Sequence, residues 1–306
     1  MKANSTRALA VPSLLILAFA AGCGGGSGSA ASGTTPTGGS GGGVTPPTGP
    51  TTAGVYKGTI TSTTMGQTIP VMAMVDTHGQ ANWMSTDGRV WTGTMPVTGA
   101  HFDASLMGQM YTGTTFPDGS TAGNWMMSVE NESGHMSGPF NGSGDAANLD
   151  LILTSMWNRA SSLQAVAGVY TRSSWTGYAM TMTIGTNGQL MANDSRGCSI
   201  NGTVTVPDAT HNLYSITATV TSCGSLDGAY QGHGTLLDAD AMRDWTSAMH
   251  PLEQGGHWQG NMDMTGMGHM GGMGGMPYNT VPTGTTNLFM FVIENGHNAM
   301  MDALAK

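Results

Sequence analysis

The stretch D-G-R-V-W-T-G-T-M-P-V at residues 87–97 returns as R-G-C-S-I-N-G-T-V-T-V at residues 196–206. In the first, Trp91, Gly93, Met95 and Val97 alternate with polar neighbours; in the second, Ile200, Gly202, Val204 and Val206 do the same. A period of two sends successive side chains to opposite faces of an extended chain, which is the signature of a half-buried strand. After a turn at residues 207–212, Tyr214, Ile216, Ala218 and Val220 repeat the pattern. Both stretches therefore read as strands, and their recurrence raises the question of a duplicated unit.

Other matches follow in the same order. A-G-V-Y occurs at residues 53–56 and 167–170, and M-V-D-T-H-G-Q (74–80) aligns with T-I-G-T-N-G-Q (183–189). G-P-F-N-G-S-G (138–144) aligns with G-A-Y-Q-G-H-G (228–234), and N-L-D-L-I-L-T-S (148–155) with N-L-F-M-F-V-I-E (287–294). Matches in one order imply two homologous units, residues 53–166 and 167–306. Short alternating strands divided by Gly, Asn and Asp turns predict an all-β chain. Two tandem antiparallel meander β-barrels fit best, because the connections are short; sandwiches are the alternative. Helix is expected only over residues 158–167 and 298–306.

The first residues read differently. Lys2 and Arg7 precede an apolar run that ends in L-A-F-A-A-G-C at Cys23. The run is shorter than the ~20 apolar residues of a spanning helix, so residues 1–22 read as a signal peptide. Small residues directly before a cysteine resemble the lipobox of bacterial lipoproteins. That resemblance implies cleavage before Cys23, a diacylglycerol on its thiol, an acyl group on its new amine, and an outer-membrane, lipid-anchored location in the cell envelope. Residues 23–52, nearly all Gly, Ser, Thr, Ala and Pro, are expected to be a disordered tether reaching roughly 30 Å from the lipid.

Charge excludes one class of partner. The formal net charge is −9, and −11 without Lys2 and Arg7, so no electrostatic footprint for nucleic acid exists. Enzyme-like patterns fail on context. G-G-S-G-G (38–42) resembles a nucleophile elbow but lies in the tether. G-M-G-H-M-G (266–271) resembles a dinucleotide-binding loop but has no strand–helix frame. His233 falls in the second unit where the alignment above puts Ser143 in the first, so the units cannot share a histidine site. The reading is non-catalytic.

The second unit also resembles small β-rich domains of uncharacterised Gram-negative envelope lipoproteins. The shared order is Asn187-Gly188-Gln189, Gly197-Cys198, Asn212-Leu213-Tyr214, Cys223 and the G-x-Y-x-G of residues 228–232. The resemblance implies a calycin-like shape and no activity. Of the three cysteines, lipidation takes Cys23 and leaves Cys198 and Cys223 in an oxidising compartment. Matching the apolar faces pairs Val204 with Ile216 and sets Cys198 opposite Ser222. A disulfide between Cys198 and Cys223 then needs a bulge or a strand end to absorb one residue.

Methionine is abundant, at 26 residues. Met72, Met74, Met95, Met180 and Met182 occupy strand positions and read as adaptable core filler. Residues 242–286 instead form an insertion between two strands that the first unit joins directly. There Met262, Met264, Met267, Met270, Met273 and Met276 surround His269, with glycine between them. The spacing resembles the methionine motifs of bacterial copper-handling proteins. Neutral thioethers favour Cu(I) and Ag(I) over zinc or calcium, with His269 or His257 as an extra donor. The competing readings are a flexible insert and an oxidation sink. In the rival account of the whole chain, a calycin-like barrel binds a small apolar ligand or an envelope protein.

Overall fold

The computed structural model describes residues 49–110, 114–173, 178–237 and 287–306. Barrel 1 runs through β1 (Gly54–Ser62), β2 (Gln67–Val75), β3 (Gln80–Ser85), β4 (Val90–Thr94), β5 (His101–Gln109), β6 (Ala122–Glu132), β7 (His135–Gly142) and β8 (Asp145–Leu153). Barrel 2 runs through β9 (Gly168–Ser173), β10 (Ala179–Ile184), β11 (Gln189–Asp194), β12 (Ser199–Thr205), β13 (Tyr214–Thr221), β14 (Gly228–Leu237), β15 (Leu288–Glu294) and β16 (Ala299–Ala305). Each is a closed antiparallel meander in which every strand pairs with its neighbours in sequence and the last returns to the first. Among the described residues, barrel 1 closes through seven paired positions between β1 and β8, and barrel 2 through one, Thr171 with Ala305.

The alternation read from the sequence sets the interior. In β6, Trp125, Met127 and Val129 face the barrel while Met126 is exposed. Trp83, Trp91, Trp125 and Phe140 fill the middle of barrel 1, with ring centroids 4.9 to 5.6 Å apart. Barrel 2 is packed instead around Tyr170, Tyr214, Phe289 and Phe291. Tight turns supply the reversals: Ser133 (φ 52°) and Gly134 (φ 88°) join β6 to β7 with two consecutive left-handed residues, the geometry that matches strand twist.

One strand motif explains a slip in the repeat alignment. G-x-Y begins β1, β9 and β14, and each tyrosine hydroxyl donates to the carbonyl four residues earlier: Tyr56 to Thr52, Tyr170 to Val166, Tyr230 to Leu226, at 3.0, 2.6 and 2.9 Å. Burial raises all three phenols, Tyr56 to about 12. The motif's second glycine answers to close packing, since a Cβ at Gly58 would stand 1.8 Å from the Asp150 carbonyl oxygen. Residues 138–142 in β7 carry the same pattern with Phe140. Matching them to β14 paired the seventh strand of one barrel with the sixth of the other. By strand order, β14 stands where β6 stands and β15 where β7 stands.

The missing strand was β16, expected as helix over residues 298–306. Its sequence, A-M-M-D-A-L-A, is made of good helix formers, but seven paired positions on β15 decide its conformation. The other helical expectation, residues 158–167, shrinks to one turn, α1 (Leu163–Val166), capped by Ser162, whose hydroxyl accepts from the Ala165 N–H at 3.0 Å.

The cysteine hairpin keeps the expected register, with Val204 opposite Ile216 and Ser199 opposite Thr221 as the final pair at that end. β13 stops there, and Ser222 turns left-handed (φ 61°). That turn absorbs the odd residue and brings Cys223 to Cys198, with their Cα atoms 4.8 Å apart in a disulfide.

The methionine strands hold a feature that periodicity could not reveal. In β2, Val71, Ala73 and Val75 face the barrel, but Met72 and Met74 are equally buried on the other face. In β15, Phe289, Phe291 and Ile293 face inward while Leu288, Met290 and Val292 face outward and are buried. These outward residues join Met84, Met156, Trp157 and Met301 in a third core, a seam between the barrels. Full burial of such a side chain contributes about 1.5–3 kcal/mol. Met95, Met180 and Met182 line the interiors as expected.

Candidate functional site

The residues singled out for chemistry in the sequence, Cys23, His257, Met262, Met264, Met267, His269, Met270, Met273 and Met276, lie outside the described residues. Their frame is described. β14 ends at Leu237 and β15 begins at Leu288, and these two residues pair directly across the ladder. The corresponding strands of barrel 1 are closed by Ser133-Gly134 alone, between the paired Glu132 and His135. The chain between Leu237 and Leu288 thus leaves and rejoins barrel 2 at one rung of the ladder, with the Asn287 carbonyl accepting from the Lys306 N–H at 3.1 Å.

Four residues before that exit sits His233, on β14, only 5% exposed. Its Nδ1 lies 2.5 Å from Asn82 Oδ1 on β3, and its Nε2 lies 3.6 Å from Asp76 Oδ2 at the end of β2. Asp76 Oδ1 accepts from the His78 and Gln80 N–H groups at 2.9 and 2.8 Å, and His78 Nδ1 is 3.6 Å from Asp76 Oδ2. Burial pushes the Asp76 carboxyl up, but hydrogen bonds from His233, Gln80 and His78 outweigh it and hold the pKa below the ordinary aspartate value. Beside it, Thr235 donates to the Asn212 carbonyl at 2.7 Å, and Asn212 Nδ2 donates to Leu236 O at 2.6 Å.

The arrangement is a polar node set in the apolar seam, built from one histidine of barrel 2 and two residues of barrel 1. Repeat reasoning missed it because it looked for a site shared by both units; this one exists only between them. Its geometry suits a clamp that fixes one barrel against the other. No group of three or more His, Cys, Asp or Glu with metal-binding geometry occurs among the described residues. Nor is any helix among them long and apolar enough to cross a membrane.

Each barrel also holds an arginine paired with a carboxylate. In barrel 1, Arg89, 3% exposed, reaches Asp145 Oδ2 at 3.2 Å and Asp87 Oδ2 at 3.0 Å, and Ser62 donates to Asp145 Oδ1. In barrel 2, Arg172 pairs with Asp302 at 2.5 Å. Inside barrel 1 the indole N–H groups of Trp83, Trp91 and Trp125 are buried without an acceptor among the described residues.

No family model, curated protein or solved structure matches the chain.

Proposed function

We propose that the chain is a lipid-anchored, non-catalytic cell-envelope protein whose second barrel presents a Cu(I)- and Ag(I)-binding loop. The observation that carries this reading is the sequence between Leu237 and Leu288, which pair directly: it spaces Met262, Met264, Met267, Met270, Met273 and Met276 around His269 with glycine between them. Thioethers outside a core have no packing to do, and their softness suits a monovalent soft ion. They require no deprotonation, so binding survives mild acid. The lipid anchor rests on Cys23 and the small residues before it, with outer-membrane attachment as the expected location.

Cu(I) competition against a chromophoric chelator, on the chain from Gly24 onward, tests the metal reading. Replacing the six methionines by leucine keeps bulk and removes only the donor sulfur. The variant should lose Cu(I) and Ag(I), and the parent should bind Zn(II) poorly. Equal Cu(I) retention by both chains overturns the reading. For the anchor, Cys23→Ser should release the protein from the membrane fraction or leave it unprocessed.

A second reading, a small ligand inside barrel 1, has the three unpartnered indole N–H groups behind it, because a buried donor costs free energy until it finds an acceptor. Against it stands the aromatic packing that occupies the same interior. Fluorescence quenching of the buried tryptophans by an added hydrophobic probe would favour it.

A further inference from the structure

The outer wall of barrel 2 carries a groove of about 460 Å³, within the range of small-molecule sites. It lies across β12, β13 and β14 and ends at Glu294 and Asn295. The cause is local. Gly202 and Ala218 take adjacent inward-facing places, and a Cβ on Gly202 would stand 2.1 Å from the Thr217 carbonyl oxygen. Gly202 and Ala218 both line the groove, and neither carries more than a methyl group.

The lining is hydrogen-bonding and, apart from Glu294, uncharged. Cross-strand pairing aligns Thr203, Thr217, Gln231 and Glu294 in one row, and Asn201, Thr219 and Ala229 in the next. Thr203 and Thr217 share a hydrogen bond at 2.8 Å. Glu294 is the sole charged side chain in the lining. Such a surface offers nothing to a phosphate, which needs cations. It offers amides and hydroxyls to a ligand that is itself neutral and rich in hydroxyls. Neighbouring strands are about 4.8 Å apart, close to the rise of one pyranose unit, so a glycan lying across the strands meets one polar side chain per sugar. The disulfide ties β12 to β13, the two strands beneath the groove, and so holds it ready before binding.

Barrel 1 provides a built-in contrast. The same two rows there read Thr94, Ser105, Met126 and Thr92, Met107, Asn124. Exposed methionines stand where barrel 2 has Gln231 and Thr219.

We infer that this groove is a binding site for a neutral oligosaccharide, independent of the metal loop. The test is an NMR titration of the chain from Gly24 onward, which keeps both barrels whole, with maltohexaose, cellohexaose and chitohexaose. At least one sugar should shift the side-chain amides of Asn201 and Gln231, saturating with a dissociation constant on the order of 1 mM. The double variant Thr219→Met, Gln231→Met copies barrel 1 at two exposed positions, so the fold is retained; the Asn201 amide should then report binding weakened about tenfold or more. Absence of any shift at Asn201 and Gln231 with all three sugars overturns the inference. Equal binding by the double variant, or shifts confined to residues outside the groove, also overturns it.

Discussion

Immediately before β4, barrel 1 has Arg89; immediately before β12, barrel 2 has Cys198. Arg89 crosses the mouth to Asp145 at the start of β8, while Cys198 is bonded to Cys223 just past the end of β13. The walls around them have the same strand order and the same inward alternation. The fastenings work on different states. The buried ion pair acts in the folded barrel, where each charge depends on the other to offset its desolvation. The disulfide acts mainly on the unfolded chain, by closing a loop across a sequence separation of 25. The two barrels share a wall architecture, and each is fastened by the chemistry its own residues allow.

Breaking the ion pair should have the largest effect on stability. Asp145→Ala leaves a buried guanidinium with Asp87 alone, at an expected cost of about 3–5 kcal/mol. Chemical denaturation followed by tryptophan emission reads this in barrel 1, where Trp83, Trp91 and Trp125 are all buried. A loss below about 1 kcal/mol, the range of an exposed pair, would show that the pair does not fasten the barrel.

The covalent clasp comes next. Cys198→Ser should cost about 3 kcal/mol on the loop-entropy model, seen in the denaturation midpoint. In the parent lacking Cys23, no thiol should titrate until a reductant is added. Two titratable thiols in unreduced, envelope-expressed protein would remove the covalent half of the comparison.

A smaller effect is expected where the barrels meet. Asp76 has a folded pKa below its unfolded value of about 3.9. Its ionised form therefore stabilises the fold above that value, and the contribution is lost as pH falls through the folded pKa. Asp76→Asn should be less stable than the parent at neutral pH, and the difference should shrink as pH drops below about 4. A difference that stays constant down to acid would mean that His233 and Asp76 are not coupled. His233→Gln should cost about 1–3 kcal/mol by leaving Asn82 and Asp76 short of a partner.

What could be read beforehand, and what could not, divides along physical lines. Strand alternation and the cysteine pairing follow from period two and from spacing, and the closed barrels and the disulfide agree with them. Met72 and Met74 read as core and are buried, but the seam did not show, because Val71, Ala73 and Val75 fill the opposite face of the same strand and alternation provides for one buried face. Such burial depends on a second barrel arriving there. β16 did not show because Ala, Met and Leu favour helix when no partner strand is considered. His233 was set aside by comparison with Ser143, which the one-strand slip had made its counterpart. Its partners, Asp76 and Asn82, stand over 150 residues earlier in the other repeat. No local pattern connects them.

If residues 238–287 are the proposed metal-binding addition, barrel 2 should fold without them. Replacing them with Ser-Gly, the pair that joins β6 to β7, gives barrel 2 the connection barrel 1 already has, between the paired Leu237 and Leu288. The shortened loop costs less closure entropy, so the barrel should be at least as stable as the parent. The direct measurement is Cu(I) competition on this chain beside the parent. The account predicts an intact disulfide, a cooperative unfolding transition and loss of most Cu(I) binding. Cu(I) bound as tightly as by the parent, or a barrel that no longer folds, would contradict it.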